Sequence, residues 1–409
     1  MSYLLLECGH EKTSTINKAD LIILNTCVVK APTENKIKDK IRKLSKNYPL
    51  IIAGCLPQVM SDWCKENVPD AALIGVDHFF DICYAVDAVI NHKNFYKISR
   101  EQIFSEEPKR IRARELTGII EISKGCTGQC TYCIVRLAKG PLVSKSSELI
   151  LHEAHTAITE GCKEIWLTAQ DTASYGVDID SNLPEIVNKI VEIPGDFIIR
   201  IGMMNADYAL QIMPELKQMF EHPKVYSFIH LPLQAGSDRV LTNMKRKYTK
   251  TEYENLIREL RKERNFTIST DIITGFPGES DEDFAETKEL MERIKFDIVN
   301  ISKYGDRKGT VASRSREKIP TEIVKERSAE ISKIASKMTL ERNKNWIGWQ
   351  GKALALRIDK KSSSVLLRNR FYKLIAIQDT TLALGKWYEV KIKDARKTRL
   401  IGELISAVE

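Results

Sequence analysis

Cys126, Cys130 and Cys133 stand in the run KGCTGQCTYCIVRLAKG with the spacing C-x3-C-x2-C. Three thiolates within eight residues are soft ligands, which select zinc or an iron–sulfur cluster. A structural zinc ion takes four ligands, and the next candidates, His152 and His155, fall on the following predicted helix with the wrong spacing. On a cubane [4Fe–4S] cluster three cysteines leave one iron without a protein ligand, open to a small molecule. Gly125 and Gly128 let the backbone wrap closely round such a group. Inert buried thiols or a structural zinc are the plain alternatives.

Two further cysteines, Cys27 and Cys55, each close an apolar run, in ADLIILNTC and LIIAGC. Cys8, in LLLECGHEK, reads as a helix-end residue capped by Gly9. Cys64, Cys83 and Cys162 read as buried neutral thiols. Nine cysteines in a chain whose start, MSYLLLECGHEK, has no basic lead-in and no cleavage site point to a reducing, cytoplasmic setting with unpaired thiols.

These residues need elements that hold them. Asp20–Thr26, Leu50–Gly54 and Ala71–Gly75 read as buried strands, with helices over Thr33–Asn47, after Pro57, and from about His78 to Asn91. Near-continuous apolar strands separated by helices predict a parallel sheet covered on both faces, with chemistry at the carboxyl ends of the strands, where Cys27 and Cys55 stand. Residues 94–111 read as a charged linker. The alternation then restarts. Predicted strands are Gly118–Ser123, Glu164–Ala169, Phe197–Met204, Val225–Leu233, Thr267–Thr274 and Ile298–Lys303. The predicted helices are Ser146–Glu160, Leu183–Val191, Tyr208–Glu221, Lys250–Arg264 and Asp281–Ile294. Six repeats predict a partial (β/α)6 barrel ahead of an open sheet. After a basic helix, Glu322–Lys344, the chain turns to short alternating runs, a small all-β unit. The fold class is therefore α/β, with domains at 1–93, 112–343 and 344–409. No apolar run approaches the roughly 20 residues of a membrane span.

The chain's net charge is +8. From Glu341 onward 15 basic residues face 7 acidic ones, also +8, so the first 340 residues balance. A polyanion is the natural partner of such a segment. Arg368, Arg370, Lys373, Lys391, Lys393, Arg396, Lys397 and Arg399 alternate there with apolar residues, beside Phe371, Tyr372, Trp387 and Tyr388. Basic side chains neutralise phosphates and aromatics stack on unpaired bases; a solvated face is the alternative for any one of them.

The cysteine triplet, with Tyr132 before its last cysteine, is the signature of the radical S-adenosylmethionine (SAM) superfamily, and the chain resembles its methylthiotransferase branch over nearly its whole length. ADLIILNTCVVKAPTENK and LIIAGCLPQ resemble cysteine motifs of that family's N-terminal domain. IWLTAQDTASYG, RIGMMNA, FIHLPLQAGSDRVLTNMKRKYT and STDIITGFPGESDEDF are similar to its core blocks, and the end resembles a tRNA-binding TRAM barrel. GCTGQCTYCIVRLAKG, AQDTASYG and KYGDRKGT look most like the archaeal and eukaryotic group, which modifies N6-threonylcarbamoyladenosine beside the tRNA anticodon. The resemblance implies two SAM molecules. One methylates sulfur at an auxiliary cluster; the other is cleaved at the open iron to a 5′-deoxyadenosyl radical that activates carbon 2 of the adenine. It also implies an electron donor and a sulfur source.

One family motif, T-x-G-C-x-x-N, is absent. Cys8 has neither its lead nor its trailing Asn, so Cys27 and Cys55 lack a clear third partner. Two accounts are open: a start upstream of Met1, or a relative with a weakened auxiliary cluster. For SAM the candidates are Tyr132, Gln170, Asp171, Arg200, Gln234, Gly275 and Gly278, with turn-capping or core roles as the alternative; His230 reads as a core residue. Arg136 and Lys139, near the triplet, are candidates for the anticodon loop. Competing readings are methylthiolation of another adenosine or of a ribosomal protein, and a tRNA-binding relative without the chemistry.

Overall fold

The computed structural model describes residues 1–101, 104, 111–112, 115–262 and 265–408. Two compact units emerge. The first is Met1–Ala113 with Lys124–Val143 and Gly305–Arg314; the second is Arg114–Ser123, Ser144–Tyr304 and Ser315–Glu409. The cysteine triplet thus groups with the N-terminal residues. No helix among the described residues is long and apolar enough to cross a membrane.

In the first unit the strands Ile22–Thr26, Leu50–Gly54, Ala72–Ile74 and Tyr96–Lys97 form one parallel sheet in that order. Alternation in the second strand buries Leu50 and Ile52 in one cluster, Ile51 and Ala53 in another, as a strand covered on both faces requires. One cluster lies under helices Ala31–Leu44 and Ser61–Asn67 through Ile41 and Cys64, the other under Ile82–Ile90. The fourth strand lies in the stretch read as linker, of which residues 102, 103 and 105–110 fall outside the described residues. Tyr96 and Lys97 are exposed and too few to show a period, but backbone bonds from Leu73 and Gly75 to the Phe95 and Lys97 carbonyls fix them. Cys8 and Cys83 form a disulfide. This corrects the reading of both as unpaired thiols: helix Ser2–Glu7 packs on Ile82–Ile90 and brings them together.

In the second unit the parallel strands Thr117–Glu121, Glu164–Thr168 and Ile198–Ile201 adjoin Phe228–His230, Thr267–Thr274 and Ile298–Lys303 through the bridges Ile199–Val225 and Met203–His230. That is the predicted six-strand partial barrel. The helix Tyr208–Glu221 is two pieces, Ala206–Gln211 and Met213–Glu221, interrupted just before Pro214. The carboxyl-terminal strands, from Gln350 to Ala407, close into a barrel round Ala353, Val365, Leu367, Ile375 and Val390.

Candidate functional site

In the first unit the register Thr26–Gly54 ends two adjacent strands at one level, so Cys27 and Cys55 follow side by side. The Thr26 hydroxyl donates to the Ala53 carbonyl (2.7 Å) and accepts from the Leu56 amide (3.0 Å), pinning both ends. Gly54 has φ 93°, and a Cβ there would lie 2.8 Å from the Thr26 carbonyl oxygen. Cys27 is exposed and Cys55 half-buried. Cys64 is buried, and burial pushes its thiol up to about 12, so it stays protonated and inert as read.

Lys124 pairs with Asp77 at 2.7 Å just before the triplet loop. Gly125 (φ 75°) then turns the chain where a Cβ would fall 1.7 Å from the Pro141 carbonyl oxygen. The Gly128 amide donates to Cys126 Sγ at 3.2 Å, which favours a thiolate. A Cβ on Gly128 would stand 3.2 Å from Cys126 Sγ and 3.8 Å from Cys130 Sγ, so both sulfurs crowd the space that glycine leaves. Cys133 stands at the start of helix Ile134–Lys139, with no capping bond from its side chain. Arg136 reaches back to the Gly128 carbonyl at 2.9 Å, holding the loop; Tyr132 and Lys139 are half-buried beside it. Among the described residues no three His, Cys, Asp or Glu side chains converge on a single-ion site. The donor set fits a [4Fe–4S] cube, which takes thiolates on separate irons: three sulfurs in one loop, an amide aimed at one of them, and glycines where side chains would intrude.

Helix Cys55–Val59 packs on helix Ile134–Lys139, and Cys55, Val28 and Ile134 share one apolar cluster. The segment Gly305–Arg314 ties this together. Arg307 pairs with buried Glu34, in the helix after Cys27, and Glu34 also takes Lys38 at 2.6 Å. The Ala312 amide donates to the Thr131 carbonyl, between Cys130 and Cys133, at 2.9 Å. Periodicity could not reveal a pair 273 residues apart.

In the second unit the SAM candidates separate. Asp171 is sealed in its turn and accepts from the Ala173 (3.1 Å) and Asn205 (2.9 Å) amides; burial pushes its carboxyl up to about 6. It is a clasp between two turns, the capping alternative. Gln170 is half-buried beside it. Arg200 stacks on Trp166, Phe228 and Tyr372 at 5.1–5.7 Å. Gln234 holds φ 72° while its backbone bonds to Asp271 and Ile273. Gly275 and Gly278 have φ 74° and 80°, and a Cβ at either would press on Val324 or Glu317. Glu279 bonds the Gly275 amide and pairs with Arg327 at 2.7 Å, fixing this turn to helix Thr321–Lys344. His230, Asp271 and Asn300 join across three strands, both partners reaching Asp271 Oδ1 at 3.0 and 2.8 Å. Sequence reasoning missed the last two; the only signal was polar residues alternating along central strands.

Most of the predicted RNA-contacting cations are committed within this unit. Arg368 pairs with buried Glu164 at 2.5 Å, Lys373 with buried Asp297 at 2.8 Å, and Arg370 donates to the Glu221 carbonyl. These three contacts dock the carboxyl-terminal barrel on the strand starts at Glu164 and Asp297 and on the end of helix Met213–Glu221. Lys393, Arg396 and Arg399 hold surface pairs with Glu403, Asp394 and Asp359. Lys391 is half-buried and Lys397 exposed.

Residues 120–291 match the model of the Radical SAM superfamily, and residues 1–75 that of Uncharacterized protein family UPF0004. A Pyrococcus horikoshii protein called a probable threonylcarbamoyladenosine tRNA methylthiotransferase is 37% identical, over 99% of this chain and 95% of its own length. The Homo sapiens threonylcarbamoyladenosine tRNA methylthiotransferase is 33% identical, over 97% and 70%. Among solved structures, the radical S-adenosylmethionine methyltransferase TsrM of Kitasatospora setae, with cobalamin and a [4Fe–4S] cluster bound, superposes with a TM-score of 0.52 at 14% identity, over 72% of this chain and 66% of that one. This last likeness is one of fold.

Proposed function

The chain belongs to the threonylcarbamoyladenosine tRNA methylthiotransferase family of radical SAM proteins, and we propose that it transfers a methylthio group to carbon 2 of N6-threonylcarbamoyladenosine beside the anticodon of a tRNA. The observation that carries this reading is the gathering of Cys27, Cys55 and the triplet loop in one compact unit, with helices Cys55–Val59 and Ile134–Lys139 packed together. Sulfur has to be delivered where the base is activated, and positioning is the protein's share of such a reaction.

A [4Fe–4S] cluster with SAM, once bound, supplies the radical chemistry that opens an aromatic C–H bond beyond the reach of side-chain acids and bases. Cys126, Cys130 and Cys133 would hold that cluster. The Gly128 amide holds charge on the Cys126 sulfur, and Arg136 fixes the loop through the Gly128 carbonyl. Cys27 and Cys55 would carry the sulfur-bearing group, with a one-electron donor and a sulfur source supplied by the cytoplasm. Gln170, Gln234 and Arg200 would face SAM or the base in the barrel, whereas Asp171, Gly275 and Gly278 shape the turns that carry them.

A second reading, tRNA binding without methylthiolation, draws on the tie of Cys8 to Cys83, which takes Cys8 from the set available to Cys27 and Cys55. Under strong reductant the oxygen-protected, iron-loaded protein should cleave SAM to 5′-deoxyadenosine, and Cys130→Ala should lose this while still binding tRNA. Mass spectrometry of tRNA nucleosides with and without the gene should differ in the 2-methylthio derivative. No 5′-deoxyadenosine would sink the radical reading; an unchanged nucleoside profile would sink the assignment of this tRNA nucleoside as substrate.

A further inference from the structure

Resting on the reading of tRNA as substrate, we propose that an exposed flank of helix Ala31–Leu44 is a contact surface for the RNA sugar–phosphate backbone, at a place where composition showed no excess charge. Lys36, Lys40 and Lys43 are spaced i, i+4, i+7, so they share one face over about 10 Å of helix. Lys46, just beyond the helix end, continues the line. All four are exposed, and none has a hydrogen bond or ion pair with a described residue. Their neighbours are differently used: Lys38 pairs with Glu34, and Arg42 bonds Asn67 and lies over Trp63. A groove of about 430 Å³ runs along this face, lined by Lys36, Asp39, Lys40, Arg42, Lys43 and Lys46, with a single acid among them.

The apolar stripe one residue on, about 100° round the helix, explains why these lysines are presented in a fixed line. Ile41 is fully buried, and Ile37 and Leu44 pack on the cluster beneath the sheet, so the helix cannot roll. The helix begins four residues after Cys27, so a strand tracking it would lead toward that cysteine. A protein partner is the weaker fit, because protein interfaces have an apolar core depleted of lysine and this groove offers no apolar side chain. Lysine as a mobile point charge suits phosphates whose sequence is not read. Six of the eight cations first assigned to RNA at the carboxyl-terminal end are already partnered, whereas these are not.

The test is binding of a transcribed tRNA to the full chain across salt concentrations, comparing wild type, K36Q/K40Q/K43Q and a control, K325Q/K333Q/K337Q, on the exposed side of helix Thr321–Lys344. Each phosphate contact contributes roughly 0.7–0.9 to the slope of log affinity against log salt. The strip variant should therefore lose about 2–3 units of slope and at least about tenfold in low-salt affinity, at an unchanged melting temperature. The control should match wild type. A wild-type slope in the strip variant, or an equal loss in the control, overturns the proposal while leaving tRNA as substrate. A strip variant that binds tRNA normally but loses a retention of polyglutamate shown by the wild type, as an acidic-polypeptide probe, makes the face a protein dock and likewise overturns it. Failure of the wild type to bind tRNA would overturn both readings.

Discussion

Two buried carboxylates in the second unit respond to their surroundings in opposite directions. Desolvation raises Asp297, but Lys373, Arg342 and Arg261 outweigh it and hold the group down at about 2. Its folded value lies below its unfolded one, so it adds stability above the unfolded value that is lost as pH falls through about 2. For Asp171 desolvation, helped by nearby Asp207, dominates over its two amide donors and the Arg246 guanidinium and leaves it at about 6. Its folded value is raised, so its contribution is present at pH below about 4 and is lost as pH rises through about 6. Denaturant unfolding of the wild type should show this component as a fall on the order of 2–3 kcal/mol between pH 4 and 7, and Asp171→Asn should flatten it. If the variant keeps the wild-type slope, Asp171 is ionised in its turn and the burial argument fails. Neither behaviour was legible in the sequence: the two residues are the same letter, and only the partners, 45 and 76 residues from Asp297, tell them apart.

Elements were read well where a period or an apolar run declares them, as for Leu50–Gly54 and Thr267–Thr274. They were missed where backbone pairing alone makes them, as at Tyr96–Lys97. The segment Gly305–Arg314 belongs to the second kind. It has a family-like motif, KYGDRKGT, but no regular structure before the short turn at Ala312–Arg314. Its role lies in two anchors, Arg307 to Glu34 and Ala312 to Thr131. Removing one member of a buried pair strands the other, at a cost of about 3–5 kcal/mol. Arg307→Met should therefore loosen the segment. In the metal-free protein, hydrogen exchange at Ala312 and at residues 131–137 should speed at least tenfold. In the loaded enzyme, 5′-deoxyadenosine should form in growing excess over methylthiolated product, and Arg307→Lys should restore part of both. Unchanged exchange at Ala312 would show that the segment stands without its ion pair.

For the molecule as a whole, net charge points to a polyanion but does not say which cations are free to meet it. Counting places all +8 beyond Glu341, yet counting is blind to burial. Arg368 is stacked on Tyr372 and paired with Glu164, which also takes the Tyr226 hydroxyl at 2.7 Å. Tyr372 in turn packs on Phe228 and Arg200. This joint plugs the start of the six-strand barrel with the carboxyl-terminal one, and its charge is internal. Arg368→Met should thus leave the Glu164 carboxylate buried with only a hydroxyl, lower the melting temperature by several degrees at a cost of about 3–5 kcal/mol, and leave the salt slope of tRNA binding unchanged. Lys391→Gln should do the reverse, reducing that slope by roughly 0.7–0.9 if it meets a phosphate at an unchanged melting temperature. Loss of slope in Arg368→Met would mean that the guanidinium leaves Glu164 to meet RNA, and that the joint opens when tRNA binds.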